Sequence, residues 1–370
     1  MNTGPVFESA APVIVTWALW RPPGAGAFPV LKQGLTRIRL ASLLATLASV
    51  ALPDRAVADE AGVSFWLPGQ YGSFAATPGQ PGWAFDTTFY HATAAASAER
   101  TFARGGGIQT GVKSPSDYVM WTPTYVFATP VLGGQAAVGM TALLGRNTTS
   151  VSATLTGPGG ASLSGSRSDE VFGPGDLYPA ATLKWNSGVH NVMVYATTGI
   201  PVGIYDVNRL AAMGIGHWAA DTGAGYTYYD EKTGFEWSAI VGFTYNFINP
   251  ATQYQNGIDA HLDWAISPYV GDTLQLGAVG YFYNQVTGDR GPGATLGDFR
   301  SRVAGIGPQV GFFFPVGDRE GYLNLRAYYE FDAKNRLEGW TAFISFSVEA
   351  PEQKGSRAMP AHRTASSLPR

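Results

Sequence analysis

The chain has no cysteine among its 370 residues. That excludes a disulfide scaffold, a thiolate zinc site and a cysteine nucleophile. Charge is scarce as well. Asp, Glu, Lys and Arg make up 14% of the chain, against about 25% in an average soluble domain. The net charge is −3 and no basic run of useful length occurs, so nothing points to nucleic acid. There is no P-loop, no G-x-S-x-G elbow and no H-E-x-x-H helix. The expected sets of catalytic, cofactor-binding and metal-ligating residues are therefore empty. Glycine and aromatics are abundant instead, at 47 residues and 13%. Such a composition implies many strands, many turns and a solvent other than water.

The N-terminal region reads as an export signal set inward from Met1. The stretch "LKQGLTRIRLASLLATLASVALPDRAVADE" carries Lys32, Arg37 and Arg39, then an apolar run from Leu40 to Leu52, then Ala56-Val57-Ala58. A basic start, an apolar run of about 7–15 residues and a small-x-small site are the three parts of a secretory signal. Residues 31–58 are expected to be that signal peptide. Residues 1–30 are expected to be a non-structural extension, with the true start near Val30 or Leu35.

Between Trp83 and Val348 the chain alternates with a period of two. Phe235, Trp237, Ala239, Val241, Phe243, Tyr245 and Phe247 form one series. Glu236, Ser238, Ile240, Gly242, Thr244 and Asn246 form the other. Alternation of this kind gives a strand with one apolar and one polar face. About twelve such segments are expected, joined alternately by short turns ("NSG", "DEKTG", "PVGDRE") and longer connections, among them 97–115 and 157–175. Short turns at one end and long loops at the other describe an outer-membrane barrel. A soluble sandwich would keep a charged outer face, and these strands have few charges on either face. The expected fold is all-β, an antiparallel transmembrane β-barrel of outer-membrane type over residues 82–348. Membrane lipid is its partner, and a polar tail follows over 349–370.

"GIDAHLDWAIS" tests this reading. Asp259, His261 and Asp263 resemble an acid–imidazole–acid centre, but they alternate with Ile258, Ala260, Leu262, Trp264 and Ile266. The beat sends the apolar set to lipid and the ionisable set to the lumen. Residues two apart on a strand project in parallel and converge poorly on one metal ion. The expected lumen lining is Asp259, His261, Asp263, Glu236, Asn246, Lys184, Asn324, Arg326, Glu330 and Asp332, with Asp221 a further candidate. These residues either select a solute at a polar constriction or pair across the lumen, the acids with Lys184 and Arg326.

Residues 59–81 precede the first strand and carry Phe65, Trp66, Tyr71 and Phe74 among two copies of Pro-Gly-Gln. Exposed aromatics are unfavourable in water. The segment is therefore expected to fold into the lumen as a partial plug with an aromatic surface; the alternative is an irregular periplasmic lead-in.

Several stretches resemble the outer-membrane transporter-like family named for the meta-pathway of phenol degradation. They are "FWLPGQYGSFAATPGQPGW", "INPATQYQNG", "GIGPQVGFFFP" and "LNLRAYYEFDAKNRLEGWTAF", in that order. The resemblance implies a Gram-negative outer-membrane barrel, not an enzyme, that passively admits small apolar or aromatic compounds. Assembly would involve the barrel-assembly machinery. The polar tail departs from the usual aromatic C-terminus and leaves an internal assembly signal around Phe346 open. Two other readings remain: a structural or adhesive barrel with a sealed lumen, and a barrel lipid hydrolase. For the last, His91 and His217 are the available histidines, and neither has a Ser in register.

Overall fold

Apolar residues face outward in this protein and polar residues face inward. In the strand Phe235–Asn246, the side chains of Phe235, Trp237, Val241, Phe243 and Tyr245 are exposed, while Glu236, Ser238, Ile240, Thr244 and Asn246 are buried. A soluble fold would do the reverse. The computed structural model describes residues 64–351 except 104, 272 and 296. The expected extension, the signal peptide, residues 59–63 and the tail beyond 351 lie outside the described residues.

Fourteen strands follow in order. They are β1 (Gly82–Thr101), β2 (Gly107–Lys113), β3 (Ser116–Val126), β4 (Gln135–Thr156), β5 (Ser162–Ser187), β6 (His190–Gly199) and β7 (Ala219–Asp230). Then come β8 (Phe235–Asn246), β9 (Asp259–Ile266), β10 (Tyr269–Val270), β11 (Leu274–Gln285), β12 (Arg302–Val316), β13 (Arg319–Lys334) and β14 (Glu338–Val348). Among the described residues there is no helix. β2 and β3 are halves of one stave, because both pair with β1 on one side and β4 on the other. β10 is a two-residue strand paired with β11. The wall is thus a closed antiparallel barrel of 12 staves. Closure comes from β1 against β14, from Phe85↔Val348 to Ala95↔Glu338. Hydrocarbon offers backbone groups no partner, so a spanning sheet must close on itself.

Two connections expected to be loops are largely strand. β4 and β5 pair from Gln135↔Lys184 up to Thr156↔Ser162, and β2 pairs with β1 and β4 within the span 97–115. A raised sheet of order β1-β2-β4-β5 results. One face of its upper rows is Ser and Thr, as in Ser150 bonded to Ser168 at 2.8 Å; the other carries Val151, Ala153 and Leu155 opposite Arg167, Gly165 and Leu163. On the β5 half the second face carries Leu163, Gly165, Arg167 and Asp169, so no sustained apolar beat marks that half in the sequence.

Candidate channel lumen and the segment inside it

The wall's inward side chains hold residues 64–81 by their main chain. Asp263 on β9 accepts from the amides of Gly69 at 3.0 Å and Tyr71 at 3.2 Å. Glu236 on β8 accepts from Phe74 N at 3.0 Å, and Thr227 on β7 accepts from Ala76 N at 3.1 Å. Lys184 on β5 donates to Thr77 O at 3.0 Å. Gln135 on β4 exchanges two bonds with Gly79, at 2.9 and 2.8 Å. Tyr328 on β13 donates to Gly69 O at 3.0 Å, and Gln309 on β12 donates to Ser73 Oγ at 2.6 Å. The segment therefore runs down the lumen. It starts at Ser64, which accepts from Arg336 in the β13–β14 connection, and ends beside Gln135 at the short-turn end. Gly69 is required here: its φ is +81°, and a Cβ would lie 2.8 Å from the Tyr328 ring.

The four aromatics of this segment have distinct seats. Phe65 packs on Tyr178, ring centroids 5.6 Å apart. Trp66 is 1% exposed. It stacks on the His261 imidazole with centroids 3.5 Å apart and planes 14° from parallel. Tyr71 stacks on Trp66, ring centroids 5.7 Å apart and planes 22° from parallel. Phe74 points into a collar near the short-turn end, edge-on to Tyr229 at 5.2 Å, Phe313 at 5.8 Å and Tyr322 at 6.0 Å.

Asp259, His261 and Asp263 do not share a centre. Asp259 accepts from Asn246 Nδ2 at 2.8 Å. His261 Nε2 lies 2.9 Å from Asp221 on β7. Asp221 also accepts from the Tyr195 hydroxyl at 2.7 Å and from Thr244. Gly242 makes room for this cluster: a Cβ there would lie 2.1 Å from the Tyr195 hydroxyl and 2.7 Å from the His261 ring. The alternative in which the acids pair with Lys184 and Arg326 finds no direct ion pair among the described residues. Lys184 is turned to Thr77, and Arg326 lies over the Phe343 ring at 5.0 Å with Ser345 at 3.5 Å. Glu330 accepts from the Tyr281 hydroxyl at 2.7 Å and from Gly339 N at 2.8 Å. Asn324 donates to the Tyr322 hydroxyl at 2.8 Å.

Asp332 is a correction. Its side chain is half exposed and pairs with Arg302 at 2.8 Å, on the outside of the wall. A left-handed backbone at Asp332, φ +56°, coincides with the register shift between β12 and β13. The two-residue beat therefore fails at that point.

Several residues that hold the segment were not singled out from the sequence: Tyr195, Thr227, Ser267, Gln309, Tyr328 and Gln135. Their signal was present. Gln309 is separated by even steps from other inward positions of β12, and Tyr328 from Asn324 and Glu330 on β13. They carry no formal charge, so charge-based selection passes over them.

A family model described as "Putative MetA-pathway of phenol degradation" matches residues 98–346. The chain belongs to this family. The match runs from within β1 to within β14. Among solved structures, the family member resembles "Crystal structure of the COG4313 outer membrane channel from Pseudomonas putida F1". The TM-score is 0.57 at 14% identity, over 74% of this chain and 98% of that one. This likeness establishes the fold, an outer-membrane barrel. The translocator domain of autotransporter NalP from Neisseria meningitidis aligns at TM-score 0.32 and 10% identity, over 73% of this chain and 88% of that one, too distant to argue from. No curated protein matches the chain.

Proposed function

We propose that this protein is a passive outer-membrane channel for small apolar or aromatic solutes, exported by the signal at 31–58, with residues 64–81 as its lumen plug. One observation carries the reading. The lumen contains a run of aromatic rings, from Trp66 and Tyr71 beside Tyr195 to Phe74 in the Tyr229–Phe313–Tyr322 collar. An apolar ring can exchange such contacts for its own. The plug is held by hydrogen bonds, each worth only about 0.5–1.5 kcal/mol net, which water can replace one at a time. The outer-membrane channel of like fold supports the same reading. No energy-coupling motif was found in the sequence, so movement follows the gradient.

The sealed-barrel reading has one observation in its favour, the number of bonds that seat the plug. Conductance in planar bilayers separates the two: a sealed barrel gives none under any voltage. The hydrolase reading is weaker. His91 lies against Asp117 at 2.6 Å and Trp340, and His217 against Ile215 O and Asn246, so each imidazole is occupied without a Ser. The deciding experiment is uptake of aromatic acids, phenols and terpenes by cells with and without the gene. Faster entry of a subset supports the channel. Equal entry across the panel removes the transport claim.

A further inference from the structure

On the outside of the wall, β11, β12 and β13 carry a ladder of matched rows. The row nearest the external end is Asn284, Arg302 and Lys334, in register across the three strands. The next row down is Phe282, Ala304 and Phe331. Below it lie Gly280, Ile306 and Tyr329. Phe282, Phe331, Ile306 and Tyr329 are exposed, which places them against hydrocarbon. Rows are two residues apart, about 7 Å. Cationic side chains therefore stand one row above lipid-facing aromatic ones.

The cationic row opens into a recess of about 270 Å³ lined by Asn284, Gln285, Val286, Arg300, Arg302 and Lys334. Three of the six are cations and none is an acid. Asp332, adjoining the recess, pairs with Arg302 at 2.8 Å, and Glu338 accepts from Ala333 N, next to Lys334, at 3.2 Å, so the three cations of the recess outnumber the two acids beside it. Elsewhere, Arg146 lies 3.8 Å from Glu170 and Arg209 lies 2.8 Å from Asp169, one cation to one acid in each case. The recess is slightly smaller than a typical small-molecule pocket of about 300–1,000 Å³, and it opens outside the barrel, away from the lumen. Guanidinium groups match phosphate oxygens two at a time. A lipid phosphate lies at the boundary between hydrocarbon and water, and so does this row.

We propose that this recess binds the phosphate of an outer-leaflet glycolipid headgroup, whose acyl chains run down the Phe282, Phe331, Ile306 and Tyr329 wall. Lipid binding there is independent of which solute crosses the lumen, because the recess belongs to the outer face. It anchors the rotational setting of β11–β13 in the leaflet and fixes the height of the external end.

The test uses the full-length barrel in nanodiscs. Native mass spectrometry compares retention of bisphosphorylated lipid A with retention of its dephosphorylated form. The phosphorylated lipid is retained and the dephosphorylated lipid is not. An Arg300→Gln/Arg302→Gln/Lys334→Gln variant loses at least about tenfold in retention, since each cation near an anionic headgroup contributes several-fold. The charge-keeping variant Arg300→Lys/Arg302→Lys/Lys334→Arg keeps most of it. A heat-dependent shift in gel mobility establishes that both variants are folded. Equal retention of the two lipids, or undiminished retention by the folded Gln variant, overturns the proposal. Inorganic phosphate provides the last arm. If millimolar phosphate binds the lipid-free barrel as tightly as the headgroup does and displaces it, the site is one for a free anion and the lipid assignment falls.

Discussion

At Asp263 one carboxylate holds two backbone amides of a segment some 190 residues away in sequence, Gly69 and Tyr71. Replacing it by Ala leaves both amides in the lumen without an acceptor, at about 1–3 kcal/mol each. Asp263→Ala is therefore expected to loosen the plug and raise efflux of a small dye from proteoliposomes, with the mobility of the folded barrel unchanged. Efflux equal to the parent protein's removes Asp263 as an anchor. Gly69→Ala acts on the other side of the same contact. It puts a side chain on a left-handed backbone, costing about 1–2 kcal/mol, and drives a Cβ to 2.8 Å from the Tyr328 ring. Leak from this variant should match or exceed that of Asp263→Ala; a sealed Gly69→Ala barrel contradicts the seating described here. Alternation alone places Asp263 inward. It does not reveal its partner, because the partner is a pair of amides that any residue could supply. Pairing with Lys184 or Arg326 is the alternative that charge alone suggests, but the direct partners of this carboxylate are the two amides.

Among the elements, the raised β1-β2-β4-β5 sheet was the least legible. β8 and β9 are plain in the sequence because lipid and lumen impose opposite demands on alternate residues. Above the membrane that contrast ends, and the Ser- and Gly-rich first part of β5, residues 162–175, looks like loop. The connection 200–218 is fastened to this sheet. Asp169 on β5 accepts from Arg209 Nη2 at 2.8 Å and Nε at 3.1 Å, and from the amides of Leu210 and Ala211 at 3.1 and 3.3 Å. The Arg209 guanidinium, aided by these amides, holds the Asp169 carboxyl well below its ordinary value, which is about 3.9. A depressed carboxyl contributes fully above its unfolded value and loses that contribution as pH falls through the folded one. Proteolysis of the connection in intact cells should accordingly stay slow from neutral pH down to about pH 4. Asp169→Asn should make it faster at neutral pH. Cleavage at the same rate in the variant and the parent would mean that the fastening is elsewhere.

The whole molecule separates two jobs between two parts of one chain. The wall closes through strand pairs alone: β1 meets β14, β9 meets β11, and no strand pairing includes residues 64–81. Removal of those residues costs the wall no ladder bond. It does strip acceptors and donors such as Asp263, Glu236, Thr227 and Lys184 of their partners, but these face a lumen that water then enters, and water satisfies them. Deleting residues 61–80 should therefore give a barrel that still assembles and still shows heat-dependent mobility. Its conductance in planar bilayers should be larger than the parent's and less selective among solutes, because the rings of Trp66, Tyr71 and Phe74 leave with the segment. The alternative is that the segment is a folding element whose buried Trp66 organises the lumen around His261. In that case the deletion gives no heat-shifted species, and Trp66→Ala, which keeps the main-chain bonds, fails to assemble as well. Intact assembly with unchanged conductance would leave the segment as neither plug nor folding aid, and would return the lumen to the sealed reading.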